Sequence, residues 1–401
     1  MKQFVKTFLL VFFGVMFLLS MTGTNTQLFS FLNIPRMPAL FADIRAIPPI
    51  EEIGNVAALR IENPFDPFNR PYNYPSIWII IMYLLSVLGN PVYVFGWVVT
   101  SLMVTLYIRL LTTYWNEYYK LILTFIVAFS PPVMLLLERG NNDSVMLLLL
   151  LFSFYNKGFV SGLSLGIASV LKLFPILFFP ALFLLRKNST KSFLAGFSIT
   201  IPLMIWSFLD YSGISGATPS PDSTAFGLKS MALIAKPWFN SNIGLFTVEL
   251  ILLAVILVFA LMFIYLLRNT FRLPEYKDLF SLESADLLIF FGSGFVLIFI
   301  LGAHFAYRVV FGIPLLYALI DFVRSRTISG VFRWYSPTLI GLFLIQLWSP
   351  VVIGHWDYFA IFNYLFMLLF IPYLIAIFVH TDYIKSFFVQ VRSIFRLRRT
   401  S

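Results

Sequence analysis

Long apolar runs, separated by short polar segments, occupy most of this 401-residue chain. A helix needs about 20 apolar residues to cross a bilayer, and roughly 17–25 are typical. The pattern therefore predicts an all-α polytopic membrane protein with about 12 transmembrane helices. Residues 1–401 are predicted to form one membrane domain, because no internal repeat is visible. The predicted spans are residues 8–21, 92–112, 121–136, 143–156, 159–172, 173–186, 192–209, 243–267, 286–303, 309–323, 335–353 and 357–379.

A long polar segment, Thr22–Ser76, follows the first predicted helix. The next apolar run, Ile77–Leu88, is too short to cross a bilayer. We therefore predict that this run lies in the outer membrane interface, with Trp78 and Tyr83 as aromatic anchors. Residues 22–91 then form one large extracytoplasmic loop that carries an interfacial helix.

Lysine and arginine residues predict the orientation of the chain, because cytoplasmic loops of membrane proteins are enriched in them. With Ile77–Leu88 outside the membrane core, most of the 28 basic residues fall in cytoplasmic segments. Counting that run as a span would instead place Arg186 and Lys187 outside. Both termini are therefore predicted to be cytoplasmic, with residues 380–401 as a basic tail in an inner (plasma) membrane protein.

Composition narrows the possible functions further. Charged residues make up 11% of the chain, hydrophobic residues 60% and aromatic residues 18%, whereas soluble domains are typically about 25% charged. The absence of Cys excludes disulfides, thiol nucleophiles and iron–sulfur clusters. The three His residues lack metal-ligand spacing, so no metal site or cofactor is predicted. The net charge of +10 forms no basic stripe on a polar helix, which argues against nucleic acid as a partner.

Ionisable residues near the membrane are the candidates for function, because burying them in lipid is costly. Those that interrupt apolar runs are all predicted at the outer ends of helices, so we expect them to converge. Each also has a structural alternative: a solvated loop carboxylate, a helix cap or a cation that reaches the interface along its apolar stem. The candidates are Asp43, Asp66, Glu138–Asp143, Lys172, His304 and Arg308.

This set of side chains suits the chemistry of a lipid-linked sugar phosphate. Lysine and arginine form charge-assisted hydrogen bonds with phosphate. A neighbouring carboxylate could accept the proton of an attacking hydroxyl as a general base. An inverting displacement of phosphate at an anomeric carbon needs one such base and a stabilised phosphate, with neither a metal nor a covalent intermediate.

Several motifs resemble the central block of the family-87 glycosyltransferases, which are membrane enzymes of the GT-C class. These motifs are Arg139-Gly-Asn-Asn-Asp143, the small-residue run Gly162–Leu171 ending in Lys172 and Pro175, and Tyr74-Pro75. Tyr307-Arg308 is similar to a later block. Ser76 stands in place of a second proline. Two further departures are Ile-Arg-Ala-Ile after Asp43, in place of a Val-Tyr-like pattern, and Asn-Asn-Asp in place of Gln-x-Asn.

The resemblance implies a GT-C bundle and a polyprenyl-phosphate-mannose type of donor. It places the catalytic Asp in the first outer loop, which points to Asp43, with Asp66 as the rival. The expected phosphate-binding residues are Lys172, His304 and Arg308. The expected sugar- or acceptor-binding residues are Tyr74, Arg139, Asn141, Asn142 and Asp143.

These observations predict an integral-membrane hexosyltransferase that acts on the extracytoplasmic face. Its partners would be a polyprenyl-phosphate-sugar donor, a lipid- or glycan-linked acceptor and membrane lipid. A transporter or flippase for a lipid-linked saccharide remains an alternative, because the same cations would bind the headgroup without cleaving it. An O-antigen ligase or polymerase-like enzyme is a third possibility, although such enzymes usually carry their large outer loop late in the chain.

Overall fold

The computed structural model describes residues 11, 30, 41–66, 69–113, 123, 126–186, 188–210, 213–214, 225–239, 243–267, 283–301, 306–324 and 332–380. These residues form helices and no strand, which confirms the predicted all-α class. Of the first predicted helix only residue 11, and of the basic C-terminal tail only residue 380, lie within the described residues.

The α-helices are numbered in chain order through the described ranges. They are α1 (Ala42–Arg45), α2 (Val56–Leu59), α3 (Ile77–Ser86), α4 (Pro91–Thr113), α5 (Pro131–Arg139), α6 (Asp143–Tyr155), α7 (Gly158–Leu171), α8 (Phe179–Leu185), α9 (Thr190–Ser198), α10 (Ile201–Leu209), α11 (Leu228–Ala235), α12 (Leu245–Leu267), α13 (Glu283–Leu301), α14 (Ile313–Arg324), α15 (Phe332–Val352) and α16 (Asp357–His380). Four 3₁₀ segments, Ile50–Asn55, Phe174–Phe178, Lys236–Trp238 and Ala306–Gly312, connect them.

The predicted number of about 12 spans is not confirmed. Four described helices, α12, α13, α15 and α16, are long and apolar enough to cross a membrane, and two bent pairs raise the number to six. Three predicted spans coincide with shorter apolar helices, α6, α7 and the segment Phe174–Leu185. A helix of 13 residues such as α6 extends only about 20 Å, whereas a bilayer core is about 30 Å thick.

Helices α3 and α4 form one of the bent pairs, and their axes meet at 101°. A bend of this size marks either a broken span or a re-entrant segment, so the interfacial position of Ile77–Leu88 stays a prediction. Tyr83 is exposed, and its role as an interfacial anchor stays a prediction. The corresponding prediction for Trp78 is wrong. Trp78 is buried and its indole Nε1 donates a hydrogen bond of 2.8 Å to the carbonyl oxygen of Leu171.

Small residues allow α7 and α9 to pack backbone against backbone. A Cβ on Gly162 would overlap the carbonyl oxygen of Phe193, and one on Gly196 would overlap that of Phe159. Close approach of this kind is typical of membrane helices that pair through Gly, Ala, Ser and Thr. The packing fixes α7, and the end of α7 carries Lys172.

Candidate active site

A short segment around Phe41 brings Asp43 into contact with the turn between α5 and α6. Phe41 adopts a left-handed conformation with φ +59°, which is uncommon for a bulky residue and typical of constrained sites. Its amide nitrogen donates to the carbonyl oxygen of Glu138 across 3.0 Å, and its ring packs against Gly140. These contacts hold α1, and therefore the buried Asp43, against the turn.

The turn Arg139–Asp143 forms because its residues end one helix and begin the next. Gly140 ends α5 in the left-handed conformation, with φ +59°, where glycine is favoured. The amide nitrogen of Asn141 donates a hydrogen bond of 3.1 Å to the carbonyl oxygen of Leu136. The side-chain oxygen of Asn141 accepts a 2.9 Å hydrogen bond from the backbone nitrogen of Asp143, which opens α6.

The side chain of Asn141 contacts both a carboxylate, that of Asp43, and an ammonium group, that of Lys172. Its Nδ2 donates a 2.6 Å hydrogen bond to Oδ2 of Asp43. Its Oδ1 accepts a hydrogen bond of 3.3 Å from Nζ of Lys172. A single buried amide therefore links the candidate base with a candidate phosphate-binding cation.

Asp143 lies between two cations. One of its carboxylate oxygens, Oδ1, forms a short ion pair with Nζ of Lys172. The other, Oδ2, is 3.3 Å from Nε of Arg308. The Asp143 side chain is fully buried, and the Lys172 and Arg308 side chains are 12% and 17% exposed. Asp143, predicted to contact sugar or acceptor, thus has the contacts of a shared counter-ion in this structure.

Aromatic rings flank the two cations. The ring of Tyr74 lies 5.6 Å from Nζ of Lys172, and the ring of Phe174 lies 4.7 Å from the guanidinium carbon of Arg308. Both distances are within the range of cation–π attraction. The structure therefore brings Tyr74, predicted from a motif far away in the chain, beside the predicted phosphate-binding lysine.

Two further predicted residues complete the turn. Arg139 places its NH1 atom 3.9 Å from Oδ1 of Asp43. Asn142 is 3% exposed, and neither its amide nitrogen nor its amide oxygen has a hydrogen-bond partner among the described residues. Buried amides are nearly always hydrogen-bonded, so the Asn142 amide, which lacks a partner among the described residues, is a candidate ligand-binding group next to Asn141 and Asp143.

Sequence reasoning missed Arg70. Its guanidinium binds both oxygens of Asp66, with Nε at 3.1 Å and 3.0 Å, and its NH1 is 3.4 Å from Oδ1 of Asp43. Burial alone would lower the pKa of Arg70. The hydrogen bond to Asp66 and the negative charges of Asp43 and Asp66 have the larger combined effect, and they raise this pKa above its ordinary value. The four-residue spacing of Asp66 and Arg70 is the sequence feature that could have indicated this ion pair.

Direct contacts thus join Asp43, Asn141, Asp143, Lys172 and Arg308. Asp66 is linked to Asp43 through Arg70. His304 lies outside the described residues. Within the described ranges, no group of three His, Cys, Asp or Glu side chains is arranged to hold a metal ion.

Comparison with known proteins gives one family match. The family model for glycosyltransferase family 87 matches residues 72–289, more than half of the chain. The match includes Tyr74, the turn Arg139–Asp143 and Lys172. It begins after Asp43 and Asp66 in the chain and ends before Arg308. Neither the search of curated proteins nor that of solved structures finds a match. The chain therefore belongs to glycosyltransferase family 87.

Proposed function

We propose that this membrane glycosyltransferase moves a hexose such as mannose from a polyprenyl-phosphate donor to a lipid- or glycan-linked acceptor. The reaction takes place on the extracytoplasmic face of the plasma membrane and inverts the anomeric centre. The observation that carries the proposal is the hydrogen-bonded series Asp43–Asn141–Lys172, which sets a carboxylate beside a cation within one buried cluster.

Lys172 and Arg308 bind the donor phosphate in this proposal, with His304 assisting. Both cations already face one carboxylate, that of Asp143. A lipid phosphate offers the same kind of anionic oxygens, and charge-assisted hydrogen bonds to such oxygens are strong. Two cations can stabilise the charge that develops on the departing phosphate, so the displacement needs no metal ion.

Asp43 acts as the general base. Its carboxylate accepts the proton of the acceptor hydroxyl while that oxygen attacks the anomeric carbon. The bond from the anomeric carbon to the phosphate oxygen breaks, and its electron pair leaves with the polyprenyl phosphate. The rival carboxylate, Asp66, is less suited to this role because its side chain is fully buried and Nε of Arg70 binds both its oxygens, at 3.1 Å and 3.0 Å. The contact of Arg70 with Asp43 is longer, at 3.4 Å.

Asn142 and Arg139 bind the sugar or the acceptor. The donor and acceptor of the Asn142 amide, which have no partner in the described part of the chain, match the hydroxyl groups of a sugar. Arg139 lies beside Asp43, so it can contact the acceptor close to the base. Tyr74 adds an aromatic surface next to Lys172.

A transfer assay separates this function from that of a transporter or flippase. Purified protein in liposomes would receive radiolabelled polyprenyl-phosphate mannose and a panel of short-chain glycolipids as acceptors. A transferase moves the label onto a glycolipid and releases polyprenyl phosphate. A flippase moves the intact donor to the other leaflet without releasing phosphate.

Matched variants identify the base in the same assay. Asp43→Asn keeps the shape and removes the basicity, so transfer should fall by about 10²–10⁴-fold while donor binding persists. Asp66→Asn should have a smaller effect. A loss in Asp66→Asn with normal transfer in Asp43→Asn would make Asp66 the base. Full activity in both variants would exclude the general-base mechanism.

A further inference from the structure

One guanidinium, that of Arg70, contacts two carboxylates from separate parts of the outer loop. Its Nε and NH2 atoms bind Asp66 at distances between 2.8 Å and 3.1 Å. Its NH1 atom is 3.4 Å from Oδ1 of Asp43, and its NH2 atom donates to the carbonyl oxygen of Ala42 at 3.3 Å. Arg70 therefore spans the distance between Asp66 and the helix that carries Asp43.

Asp66 is held in place by its own segment. Its side chain is fully buried, and Oδ1 also accepts a 3.3 Å hydrogen bond from the backbone nitrogen of Arg70. The backbone nitrogen of Asp66 donates to the carbonyl oxygen of Asn63. Asn63 in turn donates from Nδ2 to the carbonyl oxygen of Ala46 at 2.7 Å. The Asp66–Arg70 pair is thereby fixed relative to the end of α1.

The carboxylate of Asp43 is consequently held from two sides. Asn141 contacts Oδ2, and Arg70 contacts Oδ1. Arg139 lies farther from Oδ1, at 3.9 Å. Contacts at both oxygens restrict rotation of the carboxylate plane, and that plane decides which lone pair points towards an acceptor hydroxyl. A misplacement of about 1 Å in such a geometry can cost 10²-fold in rate.

We propose that Arg70, anchored by Asp66, is a positioning residue for the Asp43 carboxylate. This inference rests on the proposed function, because it assumes that Asp43 is the base. It also gives each of the two loop carboxylates a role: Asp43 reacts, and Asp66 fixes the arginine that orients it.

A purely structural role for Arg70 would be to hold the loop together. Another arginine of the loop, Arg60, forms an ion pair that has such a structural role. Arg60 lies 3.4 Å from Asp210 and donates to the carbonyl oxygen of Tyr72, and no described contact joins it to Asp43. Arg60→Ala is therefore a matched control: it removes an arginine of the same loop and leaves the contact between Arg70 and Asp43 intact.

The experiment compares Arg70→Ala, Arg70→Lys and Arg60→Ala in the transfer assay, at a temperature at which each protein remains folded. We expect Arg70→Ala to lower kcat by about 10²-fold with little change in the KM for polyprenyl-phosphate mannose. Arg70→Lys should recover part of the loss, and added guanidinium ion should restore Arg70→Ala. Arg60→Ala should keep its kcat and should not respond to guanidinium.

Three outcomes would overturn the inference: an unchanged kcat in Arg70→Ala, an equal loss in Arg60→Ala, or a loss that guanidinium does not restore. If Arg70→Ala fails to fold, Asp66→Asn tests the same point, because it loosens the anchor and keeps the guanidinium. Normal kcat in Asp66→Asn would then count against the inference. Full activity in Asp43→Asn would instead refute the proposed base, whereas an inactive Asp43→Asn with a normal Arg70→Ala would refute this inference alone.

Discussion

The side-chain amide of Asn141 donates a 2.6 Å hydrogen bond to the carboxylate of Asp43, 98 residues earlier in the chain. Both residues are buried, at 1% and 6% exposure. The contact joins α1 to the turn between α5 and α6, so the position of the candidate base depends on a residue of the family-matched region. Breaking it without changing side-chain size tests this dependence.

Asn141→Asp makes that change. The variant removes the amide donor and sets a second carboxylate against Asp43, and two carboxylates in contact resist simultaneous ionisation. We predict a loss of at least about 10²-fold in kcat, measured as sugar transfer from polyprenyl-phosphate mannose. Asn69→Asp is the control, because Asn69 makes a similar 2.7 Å contact with Glu62 at an exposed site. Equal activities of the two variants would contradict a role for Asn141 in holding the base.

The structure shows which features apolar patterns can predict. Composition and long apolar runs were sufficient for an all-helical membrane protein, because lipid leaves the backbone few other ways to satisfy its hydrogen bonds. The number of spans was not predictable in the same way. A run such as Asp143–Tyr155 is equally apolar whether it crosses a membrane or packs inside the protein, and Trp78 is equally aromatic in a core or at an interface.

The site was predictable in its residue types but not in its pairings. The candidates stood out because charges interrupt apolar runs, and the structure joins several of them. Their partners lie far away in sequence: Asp143 pairs with Lys172 and Arg308, 29 and 165 residues later. No local spacing indicates such contacts. Arg70 was missed because a charged residue in a polar loop resembles any solvated arginine.

Labelling of introduced cysteines tests the predicted orientation, and the absence of native Cys makes the labelling specific. Asn90 is an exposed residue in the turn between α3 and α4, and Lys157 is exposed between α6 and α7. We predict that a membrane-impermeant maleimide labels Asn90→Cys in intact cells, and Lys157→Cys only after permeabilisation. The opposite pattern would place the site on the cytoplasmic face.

The close packing of α7 against α9 makes Gly196 sensitive to a single methyl group. In Gly196→Ala the new Cβ would overlap a backbone carbonyl oxygen, that of Phe159, so the helices must separate. Overpacking typically costs about 1–3 kcal/mol, and we expect the upper end here because backbone atoms cannot rotate away. Thermal unfolding in detergent would measure the loss.

Gly341→Ala is the control for that substitution. Gly341 lies inside α15, and a Cβ there meets nothing within 4 Å. Alanine is favoured over glycine in a helix by roughly 0.5–1 kcal/mol, so this variant should be as stable as the wild type or slightly more stable. A similar loss in both variants would mean that close helix packing is not what makes Gly196 sensitive.

Asp143 gives a test of the donor-phosphate site that does not depend on turnover. Asp143→Asn removes the counter-ion of Lys172 and Arg308. Losing one partner of a buried ion pair costs roughly 3–5 kcal/mol, so the thermal unfolding temperature should fall. If the donor phosphate binds these same cations, its charge replaces the missing carboxylate. A polyprenyl phosphate should then raise the unfolding temperature of Asp143→Asn more than that of the wild type.

Asp210→Asn distinguishes this effect from a general response to lipid. Asp210 also pairs with an arginine, Arg60, at 3.4 Å, and it accepts hydrogen bonds from the backbone nitrogen and the hydroxyl of Ser76. Its loss should also lower the unfolding temperature, because the positive charge of Arg60 remains. However, Arg60 is not among the proposed donor-binding residues, so polyprenyl phosphate should stabilise Asp210→Asn no more than the wild type. Equal stabilisation of both variants would mean that the lipid acts through nonspecific binding, and Lys172 and Arg308 would then lose their proposed role.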